Sequence, residues 1–367
     1  MDNLNICCNI DDNYAPACGV MLSSLFEHNK GAKFKIHILH SKLSDENKIN
    51  LNEIITAQNS ECHFHTVDDT LLEGVRLHRE NRPLTKAAYY RILLSSVLDK
   101  SVSKVLYLDS DLIVCRDITA LFSLNLKGYA LAATRDIGKL MDERRMPLSI
   151  SYHKHYFASG LMLVNLDYWR ENNSEKDLIA ASKMEDRFLD QFDQDSLNAV
   201  FHDHWFELSV KWLRNYPYVY ERSFFENRTD RKEFEENPAT VHFLDYYKPW
   251  NKIVWFGIRW NKYRDKYYYY LQKTPWSKTH LQRAKLKLAE YKKLGLYIYL
   301  FKYSVNSLLN DINYFLSFKI TAGMRKLIFM PLYLSLKLYY QVRKFIISLT
   351  TKKHQGQEFK KNEESVQ

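Results

Sequence analysis

The sequence predicts an α/β fold with a mostly parallel central sheet, followed by a basic, aromatic, helical C-terminal tail. Three observations carry that expectation. Short apolar strands alternate with amphipathic helices from the N-terminus onward, the order that winds helices around a parallel sheet. Two apolar runs stop abruptly in acidic residues, at Asp11-Asp12 and at Asp109-Ser110-Asp111, as strands do at a ligand-binding sheet edge. Charge is also divided unevenly: from residue 251 to the end there are 23 Lys and Arg against 6 Asp and Glu, a net of +17, so the first 250 residues carry a net of −7.

The elements follow in order. Asn5 to Ile10 reads as a short buried strand that runs into the polar turn Asp11-Asp12-Asn13-Tyr14. A helix is expected from about Pro16 to His28, with Val20, Leu22, Leu25 and Phe26 on its apolar side. Phe34 to Leu39 is a second strand, and Ser44 caps a helix running to about Ala57. Cys62 to Val67 alternates as a third strand. Thr85 to Leu98 reads as a helix that carries Tyr89, Tyr90 and Arg91. Lys104 to Leu108 is a continuous apolar strand, and Leu112-Ile113-Val114 resumes the apolar run beyond the acidic triplet. Tyr129 to Thr134 and Leu161 to Leu166 are further strands, and Phe188 to Phe201 is a helix with Asp193-Gln194-Asp195 inside it.

With 10 Gly and 8 Pro in 367 residues, a collagenous or disordered chain is excluded. The five cysteines form no CxxC pair and sit in apolar runs, as buried reduced thiols do. Met1-Asp2-Asn3 lacks the charged start and long apolar run of a secretory signal, so a cytoplasmic location is expected.

The chemistry sits in four places. Asp109-Ser110-Asp111 at the end of a buried strand places two carboxylates at one point, and hard oxygen ligands of this kind suit Mn²⁺ or Mg²⁺, which neutralise a diphosphate. Taken alone, the triplet is equally a solvated turn. The loop holding Asp11, Asn13 and Tyr14 offers a carboxylate, an amide and a ring to a nucleotide base, although taken alone it reads better as an ordinary turn with a helix cap. The run from His242 to Trp250 supplies an imidazole for a metal and, in Lys248, a point charge for phosphate. The last is Phe192-Asp193-Gln194-Asp195-Ser196-Leu197-Asn198.

These four motifs, in this order, resemble glycosyltransferase family 8, the bacterial lipooligosaccharide and lipopolysaccharide α-galactosyltransferases and glucosyltransferases, over roughly residues 4 to 260. The resemblance implies a GT-A fold and retention of anomeric configuration. It implies that Asp109, Asp111 and His242 hold the metal, that Asp11, Asn13 and Tyr14 bind the uridine end of a UDP-sugar, and that Arg91 reaches toward the donor. Lys248 would pair with the leaving phosphate, Asp193 would hold sugar hydroxyls, and Gln194 would lie beneath the anomeric carbon. Two positions depart from the family pattern. Ala158 stands where Asn is usual, which leaves the donor sugar open, and Asp245 stands where glycine is usual. Those departures motivate a rival reading, a catalytically silent sugar-nucleotide-binding partner in a membrane glycan assembly.

The expected organisation is therefore a catalytic domain over 1–260, a basic amphipathic helical region over 261–350, and a polar tail over 351–367. Lys and Arg set between Leu, Ile, Phe and Tyr favour docking to an anionic membrane surface at its cytoplasmic face. No nucleic-acid-binding module accompanies the basic tail, so the expected partners are the donor, a saccharide or glycolipid acceptor and that membrane, without nucleic acid.

Overall fold

The computed structural model describes residues 4–279, apart from 76, 80–81, 84, 137–147, 149, 151–154, 185–190, 217–224, 226–227, 245–247 and 251–257. The expected polar tail and all but the start of the expected basic region lie outside the described residues, as does Asp245.

The N-terminal half folds as its pattern predicts. Strand β1 (Leu4–Asn9) leads into helix α1 (Ala15–His28), then β2 (Phe34–His40), α2 (Asp45–Thr56) and β3 (Glu61–Thr66). Ser44 caps α2 by accepting from the Asn47 amide. A two-stranded ribbon, β4 (His78–Arg79) and β5 (Arg82–Pro83), follows. The next segment departs from expectation. In place of one α-helix over Thr85–Leu98 there are 3-10 turns over Lys86–Leu93 and a single α turn, α3 (Leu94–Val97). Tyr89, Tyr90, Arg91, Ile92 and Leu93 are all buried in succession, which no single face of an α-helix achieves. Packing on every side, rather than amphipathic periodicity, shapes this stretch.

Strand β6 (Lys104–Leu108) and β7 (Leu112–Val114) flank the acidic triplet. Then come β8 (Leu131–Arg135), β9 (Phe157–Asn165), α4 (Leu166–Glu171), α5 (Ser174–Ala181) and α6 (Asp193–Phe201). Helix α6 starts at Asp193, not at Phe188, because Phe192 takes φ 56° and ψ −120° and so breaks the helical path. Asp193 and Gln194 thus stand in the first turn of the helix instead of inside it. The remainder comprises β10 (Trp205–Leu208), β11 (Arg214–Tyr216), α7 (Arg228–Glu236), β12 (Thr240–Phe243) and α8 (Ile258–Leu271).

Seven strands form the main sheet in the order β10-β8-β9-β6-β1-β2-β3. The pairs β10·β8, β6·β1, β1·β2 and β2·β3 are parallel; β9 runs antiparallel to both of its neighbours. Alternate residues of each strand feed two apolar cores. Ile6, Ile36, Leu106 and Ala158 face α1 and α8, while Cys7, Tyr107, Phe157 and Met162 face α4, α5 and α6. Cys7, Cys8, Cys18 and Cys115 are buried free thiols.

The body does not stop at the expected boundary of 260. Tyr263, Tyr267, Tyr270, Leu271 and Trp276 are buried in the same core as α1. Trp276 fits against Gly19, where an added Cβ would lie 2.5 Å from the indole ring, and its Nε1 donates to Asn47 Oδ1 at 3.0 Å. Tyr267 and Tyr270, inside the expected basic region, are thus core residues, while Tyr269 between them is exposed.

Candidate functional site

Asp109-Ser110-Asp111 links two sheets. Strand β6 ends in the main sheet at Leu108, and β7 leaves it to pair antiparallel with β12, placing Leu112 opposite His242. Backbone bonds fix both sides of the link: Asp109 N donates to Gly160 O at 2.9 Å, and Phe243 N donates to Asp111 O at 3.2 Å. Residues from three strand ends therefore meet at the C-terminal edge of β6, where open α/β sheets bind ligands.

Ligand atoms of Asp109, Asp111 and His242 all lie within 4.8 Å of one another, and this is the one such group of three among the described residues. His242 Nε2 stands 2.9 Å from Asp111 Oδ1 and 3.4 Å from Asp109 Oδ2. Asp111 Oδ1 and His242 Nδ1 are buried without a hydrogen-bond partner. A buried carboxylate oxygen that accepts no hydrogen bond, beside a second carboxylate and an imidazole, fits a divalent cation. Gly160 permits the approach: a Cβ there would lie 2.5 Å from His242 Nδ1 and 3.2 Å from Asp109 Oδ2.

Two cations balance the carboxylates. Lys248 is ion-paired to Asp111 and donates to the Phe243 carbonyl at 2.6 Å. Burial alone would raise the Asp111 pKa, but Lys248 and His242 outweigh it and hold the carboxyl well below its ordinary range. Arg91 is buried across the ring of Tyr107, 4.7 Å from its centroid. Its Nη2 lies 3.0 Å from Asp109 Oδ1 and its Nε 2.8 Å from Asp193 Oδ2. The second contact is an ion pair without a directed hydrogen bond: Nε donates to the Ala88 carbonyl at 3.3 Å, and the buried Asp193 Oδ2 accepts none. Nη1 donates to Ser159 O at 2.9 Å. Arg91, expected to reach for the donor, thus spends most of its donors on the protein. Burial pushes the Asp193 carboxyl up to about 6, with Arg91 offsetting part of the rise.

Gln194 is tied at both ends of its amide. Its Oε1 accepts from Ser159 N at 2.9 Å, and its Nε2 donates to Asp136 Oδ2 at 3.1 Å. Asp11 forms a local turn, accepting from the Asn13 and Tyr14 amides at 2.9 and 3.1 Å, and Asn13 is exposed. Tyr14 meets Trp250 edge-on at 6.0 Å. A cavity of about 170 Å³ opens between Asp11, Tyr14, Thr85, Arg91, Asp109 and Asp111, joining the loop after β1 to the acidic triplet. Ala158 is 2% exposed and packs in the apolar core.

Sequence reasoning missed the supporting residues. Tyr107 OH stands between Asn9 Oδ1 and Asp109 Oδ1, 2.8 Å from the latter, and Asn9 Nδ2 donates to the Ala87 carbonyl at 2.7 Å. Of the two residues that hold Gln194, Asp136 carried no signal, and Ser159 stood beside Ala158 in a run that matches the family pattern but was given no role.

The family model for glycosyl transferase family 8 matches residues 5–254. General stress protein A of Bacillus subtilis (strain 168) is 33% identical over 275 residues, covering 73% of this chain and 92% of that protein. A lipopolysaccharide 1,2-glucosyltransferase of Escherichia coli is 25% identical over 256 residues, 68% of this chain and 74% of its own. Among solved structures, the galactosyltransferase LgtC in complex with donor and acceptor sugar analogues shares the fold at a TM-score of 0.65 and 20% identity, covering 74% of this chain and 96% of its own.

Proposed function

The chain belongs to glycosyltransferase family 8, and on that premise we propose that it is a retaining, metal-dependent transferase that moves glucose or galactose from a UDP-sugar to a saccharide or glycolipid acceptor in surface-glycan synthesis. The observation that carries the reading is the convergence of Asp109, Asp111 and His242 at the end of β6. A divalent ion, Mn²⁺ or Mg²⁺, held by these three would neutralise the donor diphosphate and the charge left on it as the sugar departs. The same intact cluster speaks against the catalytically silent binding partner. Turnover of UDP-glucose or UDP-galactose by the full chain with Mn²⁺ tests the proposal; no turnover of any UDP-sugar, with or without acceptor extract, would refute it.

In the proposed reaction the bond between the anomeric carbon and the diphosphate oxygen breaks while the acceptor oxygen bonds to the same face of that carbon. The acceptor proton passes to the leaving phosphate oxygen. Lys248 meets the charge on that oxygen, moving from its partner Asp111 to the phosphate. Asp11, Asn13 and Tyr14 bind the uridine end. Arg91 acts mainly by holding Asp109 and Asp193 in place, and Asp193 accepts from sugar hydroxyls.

Gln194 is a poor nucleophile as an amide, and Ser159 further occupies its oxygen. It therefore orients and steadies the sugar. Gln194→Ala is expected to lower kcat by about 100-fold, the cost of a misplaced reacting centre, with UDP affinity by calorimetry nearly unchanged. A glycosyl adduct trapped on Asp193 would instead establish double displacement.

The basic segment over 277–350 is proposed to dock on the anionic inner face of the plasma membrane, without a role for nucleic acid. Among the described residues no helix is long and apolar enough to cross a membrane. A chain ending after Lys278 keeps Trp276 in its socket. It is expected to retain UDP-sugar hydrolysis and to lose sedimentation with anionic vesicles, each basic residue near such a surface contributing about 1 kcal/mol. Continued pelleting at moderate salt would move the anchor elsewhere.

A further inference from the structure

Lys248 is followed by Pro249, whose ring fixes φ and offers no backbone N–H. The Pro249 carbonyl oxygen accepts two side-chain donors from one helix: Arg264 Nε of α8 at 3.2 Å and Tyr268 OH at 3.1 Å. The Arg264 guanidinium lies 5.2 Å from the centroid of the Tyr268 ring, so the two donors brace each other. The next residue, Trp250, packs on Tyr267 of the same helix at 5.6 Å and meets Tyr14 of the nucleotide loop at 6.0 Å. Helix α8 has its own fastenings away from this loop. Tyr270 OH and His28 Nε2 are 2.9 Å apart, Lys273 pairs with Glu27, and Trp276 sits against Gly19.

We propose that Arg264 and Tyr268 are positioning residues that aim Lys248 by holding the Pro249 carbonyl oxygen. The family match ends at 254, so both lie beyond the segment that defines the family. The expected domain boundary at 260 would have cut them away. A lysine is a point charge on a flexible stem, and its direction is set by where its backbone is held. The Lys248 side chain is largely buried and its ammonium group engages Asp111 and the Phe243 carbonyl. A shift of the loop therefore moves the charge away from the leaving phosphate. This inference rests on the proposed role of Lys248 in that reaction.

The test uses the full chain, Mn²⁺ and whichever of UDP-glucose and UDP-galactose it hydrolyses faster. Loss of one hydrogen bond from a shared acceptor predicts a fall in kcat of about threefold for Tyr268→Phe and about tenfold for Arg264→Met, and because the two donors brace each other the pair departs from the product of the single losses. The KM for donor and the melting temperature stay close to those of the unaltered chain, because the fastenings to α1 persist. In a Lys248→Met background the same two substitutions change kcat by less than about twofold, since the group they aim is gone. Equal losses in both backgrounds, or losses that track melting temperature, would overturn the proposal and make α8 a structural support only. Full activity of Lys248→Met by itself would instead refute the role given to Lys248, and that result is read before any α8 variant is needed.

Discussion

Asp111→Asn is expected to lower UDP-sugar turnover by about 1,000-fold, near the upper end for a lost transition-state stabiliser. The substitution keeps the shape of the side chain and removes its charge. It costs the cluster one of two carboxylates and leaves Lys248 and His242 facing a neutral amide. Asp109→Asn is expected to be comparably severe, because Asp109 also holds Arg91 at 3.0 Å and through it Asp193. EDTA added to the unaltered chain should reproduce the loss, and Mn²⁺ in excess should restore it. His242→Ala should raise the Mn²⁺ concentration needed for half-maximal rate more than it lowers the maximal rate. Activity of the unaltered chain undiminished by EDTA would remove the metal from the mechanism.

The second large effect is expected from a methyl group. Gly160→Ala places a Cβ where His242 Nδ1 would be 2.5 Å away, His242 Cε1 2.8 Å and Asp109 Oδ2 3.2 Å. The imidazole is nine-tenths buried and has no room to withdraw freely. Either His242 rotates out of the ligand set or strand β9 moves from β6. The strain of such overpacking costs about 1–3 kcal/mol of stability, and a ligand displaced by about 1 Å costs about 100-fold in rate. Mn²⁺ binding measured by electron paramagnetic resonance should weaken in parallel. Wild-type Mn²⁺ affinity in Gly160→Ala would show that the imidazole can turn aside and still ligate.

Much of the fold was legible because period and punctuation agree with tertiary packing. The strand at Leu4–Asn9, the helix ending at His28 and the cap at Ser44 all lie within a residue or two of their expected places. Where the structure differs, the reason is tertiary. The stretch from Lys86 to Leu93 buries consecutive residues, so no helical face could announce it. Phe192 at φ 56° sets the start of a helix that composition would have begun earlier. The start of the region over 261–350 was expected to belong to the membrane-docking segment, because aromatic and basic residues look alike in membrane contact and in core packing. Only the socket at Gly19 and the contact with Trp250 decide between them.

The carboxylates of the cluster were readable because an acidic pair after a strand has a local signature. Their support was not, because it is assembled across the chain. Nothing local in Asn9 or Tyr107 reveals that the Tyr107 hydroxyl stands between the Asn9 amide oxygen and Asp109. Arg91 was readable as a site residue, and it lines the cavity beside Asp109, but its ion pairs with Asp109 and Asp193 join residues too far apart in the chain to be read locally.

The seam between the two sheets also sets an order on biosynthesis. Asp109 and Asp111 emerge with β6 and β7, but their third partner, His242, belongs to β12, which pairs back onto β7. The parallel core of β1, β2, β3 and β6 is complete in the nascent chain well before β12 exists. Until then the two carboxylates have no imidazole opposite them, and Lys248 and its bracing helix have not yet been made. In the order of synthesis, therefore, the acidic half of the cluster precedes its imidazole, and the three side chains can meet only once β12 has been made.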